Sequence, residues 1–264
     1  LVPLLILMAL KPRAKNPRGI NIEELFIRKP EEEARYLHNP TGSAWGELFL
    51  GIDKILRKIE PMLPRTARQR ALKAAVKFIK PRLNGEDGLG GIFPAMANAV
   101  MAFEALGYPK DDPDLLTAKS SIQKLLRLDG EKGFCQPCLS PIWDTGLAVH
   151  SLAEANGADE TKELSRAATW LAEKQILDVE GDWADNRPGL RPGGWPFEYA
   201  NDYYPDVDDT AVVALALDRM DREKFRENIE RAAEWIVGMQ SKNGGWGSFD
   251  ADNTYEYLNH IPFA

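Results

Sequence analysis

The sequence predicts an all-α chain built from repeated helix hairpins, and three observations carry that expectation. Apolar residues recur at i, i+3, i+4 spacing over residues 115–126, 144–156, 161–175, 210–220 and 222–240. Strand signals are scarce, and the connections are rich in Gly and Pro. The connections also repeat. Trp170 and Gln175 return 65 residues later as Trp235 and Gln240, followed by Gly181 and Trp183 in one copy and Gly244 and Trp246 in the other. Asp144 and Asp209, each before a Thr at a helix start, show the same offset. Residues 91–98 form a degenerate copy, with Leu89 where a Trp would stand. Repeated helix pairs build either an open solenoid or a closed α/α barrel.

The bulk properties fit a globular protein. The 264 residues are 44% hydrophobic and 28% charged, enough for one large domain or two small ones. A net charge of -7 and a pI of about 5.2 give nucleic acid no basic footprint. Cys135 and Cys138 are half a zinc site, and their spacing lacks the βαβ context of a redox pair. They read as reduced structural thiols in a cytoplasmic compartment.

In chain order, residues 1–10 are apolar, and Lys11, Arg13, Lys15 and Arg18 follow. A signal peptide has the reverse order, and the run is too short to span a bilayer. With no initiator Met and no terminating signal after Ile261, both ends read as cuts through a longer protein. Trp45, Leu48, Phe49, Ile52, Ile55, Leu56 and Ile59 form one apolar face at helical spacing. Lys54, Arg57 and Lys58 border it, and Arg65, Arg68, Arg70, Lys73, Lys77, Lys80 and Arg82 follow. Residues 43–82 therefore read as an interfacial helix with a basic segment, or as a core-packed helix next to a basic linker. Asp111, Asp112 and Asp114 around Pro113 read as a solvated turn, not a diphosphate–magnesium site. Residues 250–254 echo a calcium loop, but Tyr255 stands where Gly is required.

The stretch Tyr203-Tyr204-Pro205-Asp206-Val207-Asp208-Asp209-Thr210 carries the chemistry. Three carboxylates fall within four residues, behind Gly194-Trp195-Pro196-Phe197-Glu198-Tyr199 and ahead of an apolar helix. Three charges against apolar surface cannot all ionise cheaply, so at least one carboxyl is expected to stay protonated. Helix capping explains one Asp per helix, and the repeat counterpart Asp144 assigns that role to Asp209. It does not explain Asp206 and Asp208.

Gln240-Gly244-Trp246 and, loosely, Gln175-Gly181-Trp183 resemble the QW motif of triterpene cyclases. Asp206-Val207-Asp208-Asp209 resembles the DXDD motif of squalene–hopene cyclases. The stretches Ser140-Pro141-Ile142-Trp143-Asp144-Thr145, Asn243-Gly244-Gly245-Trp246-Gly247, Asp252-Asn253-Thr254 and Asn259-His260-Ile261-Pro262-Phe263 are similar to that family too. The similarity runs from Val2-Pro3-Leu4-Leu5 to the end.

The resemblance implies that residues 1–264 are an incomplete α/α barrel domain of a longer two-domain cyclase, inactive as a fragment. It implies protonation of a terminal C=C of squalene and a cation–olefin cascade to hopene or hopanol. DXDD favours squalene over its epoxide. Asp208 would be the proton donor, supported by Asp206 and Asp209. The family's His partner falls beyond Ala264, and His38, His150 and His260 do not match it.

Trp143, Phe197, Tyr199 and Phe249 are the candidate substrate-facing aromatics, able to stabilise cations through their quadrupoles. Phe249 stands where some members have Tyr. Trp170, Trp183, Trp235 and Trp246 read as core packing, and the resemblance implies that the QW loops clamp the outer helices together. No metal or other cofactor is called for. The resemblance also implies monotopic contact with the cytoplasmic face of the cell membrane, and allows a homodimer of the full-length enzyme. Two other readings compete. One is an inverting glycosidase, with paired carboxylates about 6.5–9.5 Å apart. The other is a non-catalytic helical repeat protein whose Asp residues only cap helices.

Overall fold

The structure is a computed structural model, and it describes residues 1–33, 37–156 and 161–262. The last two residues of the chain, and with them Phe263 of the final motif, lie outside the described residues.

The described residues form α1 (Val2–Leu10), α2 (Ala44–Ile59), α3 (Arg65–Ile79), α4 (Phe93–Ala105), α5 (Pro113–Leu125), α6 (Pro141–Asn156), α7 (Lys162–Glu173), α8 (Val207–Asp221) and α9 (Arg226–Gly238). Two small antiparallel pairs interrupt them: β1 (Leu83–Asn84) with β2 (Gly88–Leu89), and β3 (Leu126–Asp129) with β4 (Lys132–Cys135). The all-α expectation therefore holds. The β3–β4 hairpin is a departure from it, starting where the apolar period of α5 runs out.

Local chemistry sets the helix starts. The Ser43 side chain accepts from Gly46 N at the start of α2. Thr161 accepts from Leu164 N at the start of α7. The Asp112 carboxylate accepts from Asp114 N and Leu115 N, with Pro113 in the first turn of α5. The acidic run at 111–114 is thus a helix start, and Asp114 pairs with Lys80 at 2.6 Å. In the degenerate copy, α4 begins after Ile92 with no side-chain cap, and Leu89 is buried in β2. Cys135 and Cys138 are both free thiols; Cys138 is half-buried and Cys135 is exposed on β4.

The chain divides into two compact units. One comprises Leu1–Leu10 and Ala74–Asn253; the other comprises Lys11–Lys73 and Thr254–Ala264. In the first, α1 packs on α4, α4 on α5, and α8 on α6, α7 and α9. The core around α8 joins Ile142 and Val149 of α6, Leu164 and Leu171 of α7, and Val213 and Leu217 of α8. Trp195 and Phe225 fill it from the loops. Each such side chain contributes about 1.5–3 kcal/mol on burial.

The QW connections do unequal work. Trp183 and Trp235 are buried together with centroids 5.9 Å apart, edge to face, beside Met239. Gln175 donates to Gly193 O at 2.8 Å and Asn228 O at 3.0 Å and accepts from Asn228 Nδ2, tying α9 to the 193 loop. The Gln240 side chain instead bonds within its own loop, Nε2 donating to Gly244 O. Trp170 is half-buried. Trp246 is 48% exposed, with Nε1 on Ile236 O, so it is not the core residue the pattern predicts. Arg187 closes the end of α9, bonding Gly238 O, Gln240 O and the Asp252 carboxylate. Asp252, in the loop that echoed a calcium site, also accepts from Lys242 N.

In the second unit, α2 presents Trp45, Leu48, Ile52, Ile55, Leu56 and Ile59 as one exposed apolar face. Phe49 is half-buried, off that face. Among the described residues no helix is long and apolar enough to cross a membrane.

Candidate active site

The first turn of α8 gathers Asp206, Asp208 and Asp209, with one carboxylate oxygen from each within 4.8 Å of the others. Their approach is fixed by the 194–195 backbone. Trp195 and Asp206 form an isolated antiparallel bridge, with Asp206 N donating to Trp195 O at 2.8 Å. The buried Thr210 hydroxyl accepts from Trp195 N at 2.9 Å and donates to Asp206 O at 2.6 Å. Trp195 Nε1 donates to Leu171 O, and Ile176 N to Gly194 O. Gly194 is required here: an added Cβ would meet Pro205 Cβ at 2.8 Å, Thr210 Oγ1 at 2.9 Å and Trp235 Cε3 at 3.0 Å. Val207 N donates to Ser248 O, which brings the strip before Phe249 to the same helix start.

The cap assignment is corrected. Asp206, not Asp209, is the residue before α8, and its side chain accepts from Asp208 N. Asp209 lies inside the first turn. Asp144 likewise lies inside the first turn of α6, where its carboxylate accepts from Ser140 Oγ at 2.8 Å. A 65-residue repeat marks equivalent helix turns, but the capping position within the turn depends on where the helix begins, and α8 begins at Val207.

Burial then separates the three carboxylates. Asp206 is 6% exposed and Asp209 1%, while Asp208 is exposed. Burial pushes Asp206 up to about 8, and its hydrogen bond with Asp208 and the charges of Asp208 and Asp209 add to this. Burial and the Asp208 charge push Asp209 up to about 7. Asp209 Oδ1 has no hydrogen-bond partner among the described residues, which favours its neutral form further. Both shifts run in the direction expected of a carboxyl that keeps its proton.

The candidate aromatics divide into separate places. Trp143, in the first turn of α6, and Phe197 pair with centroids 6.5 Å apart, both half-buried. Tyr199 instead packs edge-on against Trp170 at 6.3 Å. It lines a surface groove of about 830 Å³ with Pro141, Thr145 and Trp170, which the carboxylates do not line. Phe249 is exposed on its loop. His150 does not join the cluster: its Nε2 lies 3.1 Å from Val212 O.

The roles of three residues escaped the sequence reading, and Arg82, placed there in the basic membrane-facing segment, is instead largely buried. Thr210 organises the turn, and its place after DXDD was the available signal. Arg82 stacks on Phe78 and Tyr203 and pairs with Asp182, which also accepts from Tyr204 Oη at 2.7 Å. Glu198 is buried in the aromatic run and rises to about 7, chiefly through burial.

Two family models match the chain. The squalene-hopene cyclase N-terminal domain matches residues 1–130, and the squalene-hopene cyclase C-terminal domain matches residues 139–264. The chain belongs to the squalene–hopene cyclase family. The Squalene--hopene cyclase of Zymomonas mobilis is 52% identical over all of this chain and 41% of its own length. That of Bradyrhizobium diazoefficiens is 49% identical over all of the chain and 41% of its length. The Squalene-hopene cyclase of Schizosaccharomyces japonicus is 49% identical over 99% of the chain and 41% of its length. The chain thus spans about two fifths of these cyclases, and the DXDD carboxylates lie within the matched C-terminal domain.

Proposed function

We propose that the chain is the acid-bearing part of an enzyme that cyclises squalene to pentacyclic hopanoids, hopene or hopanol. The observation that carries this is the pair of buried, proton-retaining carboxyls beside the exposed Asp208, within a chain of this family. An alkene is a weak base, so its protonation needs an acid whose conjugate base is stabilised inside the protein. Asp208 is the donor in this reading, because it alone of the three is open to a substrate. Asp206, buried and with its pKa raised, lies one hydrogen bond away from it, and the buried Asp209 disfavours further negative charge beside it. Trp143 and Phe197 offer faces to the growing cation, worth roughly 0.5–2 kcal/mol each. Phe249 and Tyr199 would act further along the cavity wall.

In this reading the helix pairs α6–α7 and α8–α9 are part of an α/α barrel domain of a longer two-domain protein. The apolar face of α2, with the basic residues around it, seats residues 43–82 on the cytoplasmic face of the membrane, from which a C30 hydrocarbon would enter. A homodimer of the full-length enzyme belongs to the same reading.

The test is the full-length enzyme with squalene, its products read by gas chromatography. Pentacyclic products that vanish with Asp208→Asn are expected. Their absence from the wild type, or a fully active Asp208→Asn enzyme, refutes the reading.

A further inference from the structure

Residues 203–205 lead straight into the acid motif, and what holds them comes from the chain around β1. Pro205 is buried and its ring fixes a backbone angle, so Tyr204 and Asp206 are joined by a stiff link. Beyond that link, Asp206 is tied to Trp195. Ahead of it, the Tyr204 hydroxyl donates to Asp182 Oδ2 at 2.7 Å. Burial, and then that bond, push Tyr204 up to about 12, so it stays a neutral donor. Gly181 lets the two strands of chain touch, since an added Cβ there would run into Tyr203 O.

Arg82 holds the other oxygen of Asp182, with Nη2 donating to Oδ1. Its Cζ lies 3.7 Å from the Phe78 ring centroid and 4.4 Å from that of Tyr203. Its Nη1 donates to Phe78 O at 3.1 Å, and the side chain is only 14% exposed. An exposed ion pair would contribute little, but this one is largely withdrawn from water and ordered by two rings. An apolar side chain could fill the space beside the rings; only the guanidinium both stacks there and reaches Asp182. The turn between β1 and β2 grips the same strip a second time. Asn84 Nδ2 donates to Ala200 O at 3.1 Å, and Asp87 Oδ2 accepts from Ala200 N at 2.6 Å. Residues 82–87 thus hold residues 200–204 at two points, and the Arg82 point is the one next to the acid motif.

We propose that Arg82 is a positioning residue for the acid turn: through Asp182 and the Tyr203–Tyr204 pair, it fixes the strip from which Asp206 and Asp208 emerge. The proposal rests on the cyclase reading above. Proton transfer to an alkene needs the donor oxygen aligned with the double bond, and a misplacement of about 1 Å can cost on the order of a hundredfold in rate. A loosened strip therefore slows the protonation step. It leaves squalene binding, which rests on apolar contact, in place.

The experiment is steady-state kinetics on squalene for the full-length enzyme and its Arg82→Met, Arg82→Lys and Tyr204→Phe variants, each measured below its own Tm. Methionine keeps apolar contact with the rings and loses the pair with Asp182. Lysine keeps a charge for Asp182 and loses the planar stack. Phenylalanine loses one hydroxyl and little volume. Arg82→Met is expected to lower kcat roughly ten- to a hundredfold, and the other two severalfold, with KM held within about twofold. A purely structural role would lower Tm and leave kcat intact. An unchanged kcat in any variant that folds, or a loss carried by KM alone, overturns the proposal. Should Arg82→Met fail to fold, Arg82→Lys and Tyr204→Phe decide it by the same readings. A wild type that forms no cyclised product overturns the cyclase reading and this proposal with it, whereas an active wild type with unaffected variants overturns this proposal alone.

Discussion

Thr210→Val isolates the joint that holds the acid cluster. Valine nearly matches threonine in shape, so the fully buried site neither empties nor overfills. What disappears is one hydroxyl with two bonds, from Trp195 N and to Asp206 O. Asp206 O keeps its bond from Thr210 N at 3.0 Å. Trp195 N–H has no second partner among the described residues and is left buried and unpaired. An orphaned buried donor costs about 1–3 kcal/mol, and the lost bond to Asp206 O adds about 1 kcal/mol. The expected loss is about 2–4 kcal/mol, a fall in Tm of about 5–10 °C. Thr210→Ser keeps the hydroxyl and loses one methyl, at about 1 kcal/mol. Circular-dichroism melts of the three proteins decide the matter, with product formation measured below the lowest Tm. A Thr210→Val protein as stable as Thr210→Ser would refute this account of the turn.

Three further outcomes are expected. Asp209→Asn should raise stability at neutral pH: the folded state holds a proton the unfolded chain has lost, so the native carboxyl costs stability as pH rises from about 4 towards 7, and the gain should fade below about pH 4 in melts taken across that range. Trp183→Ala should cost about 3–5 kcal/mol by opening the Trp183–Trp235 pair, and Trp246→Ala markedly less, because Trp246 is half exposed; equal losses in denaturant titrations would contradict the burial difference. Ile55→Asp, on the exposed face of α2, should weaken flotation with anionic liposomes without lowering Tm, and unchanged flotation would remove α2 from the membrane reading.

Helix content and the repeat were legible in the sequence because both are local. The 3.6-residue period located α5 to α9, with ends displaced by a few residues where Pro113, Pro141 and the Asp206 cap open helices earlier than the apolar stripe does. DXDD and the QW loops were legible as motifs, and they identified the family that the comparisons then showed.

The division of labour among Asp206, Asp208 and Asp209 was not legible. All three have the same intrinsic acidity, and only the folded turn decides which is capped, which is orphaned and which is open. The environment of Glu198 was invisible for the same reason: it comes from Gly91, Asn201 and Asp87, residues distant in sequence or silent in pattern. By itself, then, the sequence determined an α-helical chain with phased Trp/Gly loops and an acid motif at one helix start. Only the tertiary structure decided how protons are distributed over that motif, because desolvation and charge–charge repulsion depend on what packs around each carboxyl and not on the carboxyl itself.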